Sequence, residues 1–150
     1  MKIIFKDNLR QVIEADLKRP SKVAFERIGF IFGTDVNGTI ILDEYYPVDD
    51  EDYVKSEIYG AEFNKDAIKK TLKRILISKK SCFQVHEHST LFGSRFSKPD
   101  LVTGQELCQA FNSFNSNVIH GSLILCGHET NVMYINRDGQ IKQELFMEEV

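Results

Sequence analysis

The segment that most constrains the fold is a nearly continuous apolar stretch, Ile-Gly-Phe-Ile-Phe-Gly, which spans residues 28–33 and follows Glu26 and Arg27. β-Branched and aromatic residues predominate in it, as they do in strands. A strand without polar alternation has no face that can be left in water, so other layers must cover both of its sides. Residues 26–33 therefore predict a central strand that is buried on both faces.

Segments with helical and strand-like patterns alternate along the rest of the chain. Apolar residues at helical spacing predict helices over about residues 9–17, 64–78 and 97–114. Further strands are predicted over residues 3–5, 39–46, 82–88, 118–126, 131–136 and 140–147. Asn37 and Gly38 are typical of a tight hairpin turn, and the acidic segment 47–60 predicts an exposed loop. This order predicts an α/β (α+β) fold, a mixed β-sheet flanked by helices, in a single domain of residues 1–150.

Charge and hydropathy narrow the class of function. The chain has 19 Lys and Arg residues against 22 Asp and Glu residues, a formal net charge of −3. Proteins that bind nucleic acid mainly through its phosphates usually carry a basic excess, so we expect no nucleic-acid partner. No apolar run approaches the ~20 residues that cross a bilayer, and apolar residues 3–5 are too few for a signal peptide. We therefore expect a cytoplasmic protein with no membrane partner.

The three cysteines, Cys82, Cys108 and Cys126, are odd in number and form no C-x-x-C pair. This spacing argues against structural disulfides and against a thiolate zinc site. We expect buried, unreactive thiols. Cys82 has the strand parity of His86, four residues later, but nothing else in the sequence supports a role for it as a nucleophile.

The chemically informative residues are concentrated between His86 and Asp100. His86 and His88 lie two residues apart on a predicted strand, where side chains alternate, so both imidazoles project from one face. Two neutral imidazoles are suitable metal ligands. Asp100, at the start of the next predicted helix, is the candidate third ligand. A fourth tetrahedral position would then be left for water, as in catalytic zinc sites.

Each of these residues also has an ordinary structural interpretation. Most isolated H-x-H pairs are surface residues of a strand. Ser97 and Asp100 fit the [ST]-x-x-[DE] pattern of a helix cap, and Glu26 by itself is a carboxylate at a strand end. His120 and His128 lack ligand-like spacing. His120, on a predicted core strand, is interpreted either as a hydrogen-bonded structural residue or as a partner of a metal ligand.

Taken together and in this order, the residues resemble the JAMM motif of the JAB/MPN domain metalloproteases. That motif has an upstream Glu, then H-x-H, then Ser and Asp, and the matching residues are Glu26, His86, His88, Ser97 and Asp100. Ser97 lies nine positions after His88 and Asp100 twelve, which is the family spacing. Glu26 also opens a segment similar to the E-x-x-G-x-x-x-G strand of the family. The resemblance covers nearly the whole chain and implies an MPN/JAB-like (cytidine deaminase-like) sheet.

The resemblance implies a role for each matching residue. His86, His88 and Asp100 would bind Zn²⁺, which activates a water molecule and polarises the scissile carbonyl. Glu26 would act as the general base and then deliver the proton to the leaving amine. Ser97 would donate a hydrogen bond to the developing oxyanion. Because Ser97 also fits a helix cap, its hydroxyl has two competing roles.

Two positions depart from the family pattern. The family commonly has Pro where this chain has Ser89, and a small Ser or Thr where it has Glu87. Neither position is a ligand, so the departures concern the conformation of the following loop and its contacts with substrate. Strand alternation predicts that Glu87 points away from the metal.

Within the family, three segments resemble the prokaryotic JAB isopeptidases of bacterial ubiquitin-like conjugation systems, including those of antiviral defence operons. They are residues 60–61, 96–101 and 120–121. The resemblance implies a deubiquitinase-like isopeptidase or peptidase that cleaves after the C-terminal glycine of a ubiquitin-like protein or its conjugates, with E1-like and E2-like enzymes as partners. Segments 47–59 and 89–96 are the expected contact regions. Two alternatives are a JAB hydrolase that acts on sulfur-carrier protein adducts and a non-catalytic MPN scaffold.

Overall fold

The described part of the chain, residues 1–20, 26–54, 62–63 and 65–147 of a computed structural model, contains three helices and nine strands. The helices are α1 (Leu9–Leu17), α2 (Lys65–Ser78) and α3 (Lys98–Phe114). The strands are β1 (Lys2–Phe5), β2 (Ile28–Val36), β3 (Thr39–Pro47), β4 (Tyr53–Val54), β5 (Glu62–Phe63), β6 (Ser81–Glu87), β7 (His120–Cys126), β8 (Glu129–Ile135) and β9 (Ile141–Met147).

Seven strands form one mixed sheet in the order β1-β3-β2-β6-β7-β8-β9, and β4 pairs separately with β5. The pairs β1 with β3 and β6 with β7 are parallel, whereas the other neighbours in the sheet are antiparallel. β2 lies between β3 and β6, and its residues 28–33 are buried. The prediction of a central strand is therefore confirmed, and so is the coarser prediction of a single mixed α+β domain.

The helices cover the sheet on both faces. On one face, Ile13 of α1 packs with Phe83 of β6. On the other face, Ile75 of α2 and Phe111 of α3 belong to the same core cluster as Cys82 of β6. Because successive strand residues alternate, the odd-numbered residues of β6 face α1 and the even-numbered ones face α2 and α3.

The start of β2 differs from the prediction. The strand begins at Ile28, two residues later than the predicted residue 26. Arg27 is buried and turns away from the ladder, and its guanidinium donates to the backbone oxygens of Arg19 and Pro20. These contacts, which the apolar pattern does not encode, lie directly before the first paired residue of β2.

The turn after β2 has the predicted geometry. Asn37 and Gly38 have φ angles of 54° and 86°, the left-handed conformation that both central residues of a type I′ hairpin require. The acidic segment predicted as a loop contains a 3₁₀ turn at Asp50–Asp52 and strand β4. Residues 55–61 and 64 lie outside the described part of the chain, and with them the Gly-Ala pair used in the subgroup resemblance.

The remaining boundaries shift by one or two residues. β6 ends at Glu87, so His88 follows the strand. β8 begins at Glu129 and not at residue 131, because its pairing with β7 extends to Cys126. α3 begins at Lys98, with Ser97 as its N-cap.

Gly104 allows α3 to lie close to the sheet. A Cβ atom at this position would stand 2.9 Å from Met133 Sδ and 3.8 Å from Ser122 Cβ. Met133 is fully buried on β8, and a side chain on the helix would have to displace it. Asp100 lies four residues earlier, on the same face of α3, so the first turn of the helix also faces the sheet.

None of the described helices is long and apolar enough to cross a membrane. The three cysteines are buried and unpaired by disulfides, as predicted.

Candidate metal centre

The two histidines of the H-x-H pair project together at the end of β6. His86 is buried within the strand, and His88 follows directly after it. Its backbone N–H donates to Leu125 O at 2.9 Å, so the chain stays extended beside β7. The two Nε2 atoms are 3.1 Å apart. The prediction that both imidazoles share one face is confirmed.

Asp100 meets these histidines from the first turn of α3. Its Oδ1 lies 3.4 Å from His86 Nε2, and its Oδ2 lies 3.4 Å from His88 Nε2. The candidate ligand atoms all lie within 4.8 Å of one another. Among the described residues, this is the group of histidine, cysteine and carboxylate side chains that could hold a metal ion.

A capping box orients the carboxylate. The Ser97 backbone N–H donates to Asp100 Oδ2 at 3.0 Å, and the Asp100 backbone N–H donates to Ser97 Oγ at 3.2 Å. Asp100 therefore caps the helix and contacts both histidines with the same carboxylate. The S-x-x-D pattern is therefore a helix cap, as its ordinary structural interpretation predicts, and the same carboxylate faces the two imidazoles.

Electrostatics keep Asp100 ionised. Burial by itself would raise the pKa of its carboxyl, but the contacts with His86 and His88 outweigh burial and hold that pKa well below the usual range. The contact with Asp100 in turn raises the pKa of His88, against the opposing effect of burial. The group thus combines one anionic carboxylate with two imidazoles.

Glu26 lies beside this group, just before β2. Ile28 pairs with His86 in the antiparallel ladder, and Glu26 lies two residues before Ile28. The Glu26 side chain is half-buried, and its negative charge contributes to the raised pKa of His88.

Ser97 is exposed at the start of α3. Its oxygen accepts the N–H of Asp100, and no hydrogen bond of the described residues uses its hydroxyl hydrogen. A hydroxyl can accept one hydrogen bond and donate another. The capping role therefore leaves the donor available for a bound carbonyl oxygen.

The loop over residues 89–96 contains a feature that the sequence pattern did not reveal. His88 Nδ1 lies 3.0 Å from Gly93 O, a distance at which the ring N–H donates to the carbonyl. Leu91 and Phe92, at the tip of the loop, are 92% and 83% exposed. Residue types alone do not predict that a loop carbonyl bonds to His88, and Gly93 was the only sequence signal for a turn there.

The other candidates are placed away from the metal centre. Glu87 points to the opposite face, where its carboxylate is 3.7 Å from Nζ of Lys18, the residue that follows α1. Cys82 is fully buried, and burial raises the pKa of its thiol well above the usual range, which disfavours a nucleophile. His128 is exposed in the turn between β7 and β8.

His120 is a structural residue. Its Nδ1 accepts the backbone N–H of Cys82 at 3.0 Å, and its Nε2 donates to Asn115 O at 2.7 Å. Burial lowers the pKa of this imidazole and favours the neutral form. Because both ring nitrogens have protein partners, His120 has no lone pair left for a metal.

No protein-family model and no curated protein matches this chain. Among solved structures, it is similar to the solution structure of protein DSY2949 from Desulfitobacterium hafniense. The TM-score is 0.50 and the sequence identity 17%, over 100% of this chain and 95% of that one. At this identity the similarity concerns the fold alone, so the function of the chain has to be inferred from its own site.

Proposed function

We propose that the chain is a zinc-dependent JAB/MPN metallopeptidase that cleaves after the C-terminal glycine of a ubiquitin-like protein. The observation that carries the proposal is the convergence of His86, His88 and Asp100, with Glu26 beside them. This is the ligand set and the base of the JAMM motif, brought together from three separate elements. The MPN/JAB-like (cytidine deaminase-like) form of the sheet is part of the same proposal.

The spacing of the candidate ligand atoms supports zinc. Ligands at the corners of a tetrahedron, each about 2.0–2.1 Å from zinc, stand about 3.3 Å from one another. The two Nε2 atoms here are 3.1 Å apart, and each lies 3.4 Å from a different oxygen of Asp100, Oδ1 for His86 and Oδ2 for His88. The hydrogen bond from His88 Nδ1 to Gly93 O leaves the Nε2 lone pair of this ring directed at the group. Two imidazoles and one carboxylate, with one position left for water, suit a catalytic site.

Each residue of the chain has a defined task in the proposed reaction. Bound zinc supplies an acidified water and a Lewis acid for the scissile carbonyl. The Glu26 carboxylate takes a proton from the attacking water and passes it to the leaving amine. The Ser97 hydroxyl donates to the carbonyl oxygen as negative charge develops there. Asp100, held by its capping box, keeps the site anionic and ordered.

The surroundings of the site suit a protein substrate. Leu91 and Phe92 are large apolar side chains exposed on the loop that also bonds His88. The loop keeps a defined turn although Ser89 replaces the proline of the family, because Phe92 N–H donates to Ser89 O at 3.0 Å. An apolar loop tip next to a hydrolytic centre is suited to contact a folded partner. We propose a ubiquitin-like protein or its conjugates as this partner, processed alongside E1-like and E2-like enzymes of a bacterial, cytoplasmic pathway.

The test combines metal analysis with a cleavage assay. The purified chain is expected to contain about one zinc ion and to release a peptide fused after the C-terminal glycine of a ubiquitin-like protein. Glu26→Gln removes the base, so activity should fall by about 10²–10⁴-fold while zinc is retained. Glu87→Gln is the matched control, since Glu87 lies on the opposite face beside Lys18.

Three outcomes would contradict the proposal or redirect it. Full activity of the Glu26→Gln variant would overturn the role of the base. Bound zinc without hydrolysis of any fusion would favour the non-catalytic scaffold. Cleavage of sulfur-carrier protein adducts, without cleavage of ubiquitin-like fusions, would assign the site to that related reaction.

A further inference from the structure

The hydrogen bond that orients His88 depends on a loop carbonyl. His88 Nδ1 is 3.0 Å from Gly93 O, and Gly93 has a φ angle of +72°. In this left-handed conformation a residue with a side chain would be strained. Four loop residues separate His88 from Gly93. The direction of the Gly93 carbonyl therefore depends on the contacts that hold the loop.

Hydrogen bonds between Ser94 and two side chains of β8 hold the loop segment that contains Gly93. Ser94 is buried, although most of its loop is exposed. Its hydroxyl donates to Glu129 Oε2 at 2.6 Å, and its backbone oxygen accepts from Asn131 Nδ2 at 2.9 Å. Glu129 and Asn131 lie two residues apart on β8, on the same face of the strand. The residue that follows Gly93 is thus tied to the sheet at two points.

The beginning of β8 is itself anchored. Arg10 of α1 is buried and donates to Gly127 O at 2.9 Å and to Glu129 O at 3.2 Å. It also contacts Thr130 Oγ1. The turn between β7 and β8 is therefore fixed from the opposite layer of the protein and provides a rigid attachment for the loop.

We propose that Ser94 and Asn131 are positioning residues for the metal centre. By holding the Gly93 carbonyl against His88 Nδ1, they direct the Nε2 lone pair of His88 toward His86 and Asp100. This inference rests on the proposed metal function, but it assigns a role to two residues outside the JAMM motif. Partners of this kind fix the tautomer and the ring orientation of a metal-binding histidine, and their loss typically weakens metal binding by about 10–100-fold.

The experiment measures metal binding directly. Zn²⁺ affinity is determined by chelator competition, and the Co²⁺-loaded protein is examined by visible absorption, which reports ligand geometry. Asn131→Ala and Ser94→Ala are each expected to weaken Zn²⁺ binding about tenfold and to change the Co²⁺ spectrum. Ser94→Thr keeps the hydroxyl and is expected to restore both properties.

Asn115→Ala is the matched control. Asn115 Nδ2 also donates to the backbone oxygen of a loop, Lys79 O, at 3.2 Å, but at the other end of α3. This variant is expected to leave Zn²⁺ affinity within about twofold of the parent. Circular dichroism of the metal-free proteins checks that each variant is folded, and Ser94→Ala serves alone if Asn131→Ala does not fold.

The outcomes separate this inference from the proposed function. Unchanged Zn²⁺ affinity and an unchanged Co²⁺ spectrum in Ser94→Ala and Asn131→Ala would overturn the positioning role and leave the metal centre intact. Equal losses in Asn115→Ala would mean that the effect is general destabilisation. If the parent chain bound no Zn²⁺, or bound it equally well after His86→Ala, the proposed function and this inference would both be wrong.

Discussion

Helix α3 has a histidine environment at each end, and the two differ in the atoms that face the ring nitrogens. At its C-terminal end, Asn115 O accepts from His120 Nε2, and Cys82 N–H donates to the other ring nitrogen. At its N-terminal end, Asp100 faces the Nε2 atoms of His86 and His88. The first environment pairs each acceptor with a donor. The second places electron-rich atoms against one another, an arrangement that needs a proton or a metal ion between them.

The difference follows from what each helix terminus offers. A C-terminus presents backbone carbonyls, which satisfy a ring N–H directly. An N-terminus favours a carboxylate, and here that carboxylate is an additional acceptor beside two imidazoles. Burial of a histidine is therefore a poor indicator of function in this protein, whereas the number of protein donors that face each ring nitrogen separates the structural histidine from the candidate ligands.

The largest effect on zinc content and hydrolysis should come from changes at the N-terminal end of α3, where the candidate ligands lie. His88→Ala or Asp100→Ala removes one of three candidate ligands, and we expect loss of stoichiometric zinc together with loss of hydrolysis. Metal analysis after dialysis and the cleavage assay provide the measurement. Retention of one zinc ion by both variants would remove the distinction between the two histidine environments.

Ser97 tests whether the N-terminal end of α3 does more than cap the helix. Ser97→Ala should lower activity about 10²-fold through loss of the oxyanion donor, and it should reduce the free energy of unfolding by about 1 kcal/mol through loss of the cap. Ser97→Gly should lose the same activity but only a few tenths of a kcal/mol of stability. Denaturant unfolding and kcat measurements separate the two roles. Normal activity in the glycine variant would restrict Ser97 to capping.

The smallest effect on zinc binding is expected at the C-terminal end of α3, where the loss of His120 should instead lower the stability of the fold. His120→Ala leaves the buried N–H of Cys82 without its acceptor. This should lower the free energy of unfolding by about 1–3 kcal/mol while zinc content stays unchanged. Urea unfolding and metal analysis of the same sample test both parts. Loss of zinc in a variant that is still folded would show that the two ends of α3 are coupled.

Much of the fold could be predicted from local patterns. The apolar segment that begins at Ile28 identified the central strand, and the helical spacing from Leu9 to Leu17 matched α1. Boundaries were less accurate where long-range contacts decide them. β2 begins at Ile28 and not at residue 26; the preceding Arg27 bonds to the backbone of residues 19 and 20, and the pattern of β2 itself does not encode these contacts.

Part of the candidate site could also be predicted from the sequence. Strand alternation predicted that His86 and His88 share one face of the strand and that Glu87 points to the other. The S-x-x-D pattern predicted that Asp100 lies in the first turn of a helix. The hydrogen bond between Ser94 and Asn131 could not be predicted from the sequence. It joins residues 37 positions apart and depends on how the loop packs on β8.

The sequence by itself determined the ligand types, their shared strand face and the capped helix start, because these depend on the strand period of two and on local capping. Tertiary structure decided whether they meet. The packing of α3 on the sheet leaves each oxygen of the Asp100 carboxylate 3.4 Å from one of the two imidazoles, and the packing of the loop leaves the Gly93 carbonyl in contact with His88. Such distances depend on how layers pack, and packing is a property of the whole chain rather than of any segment.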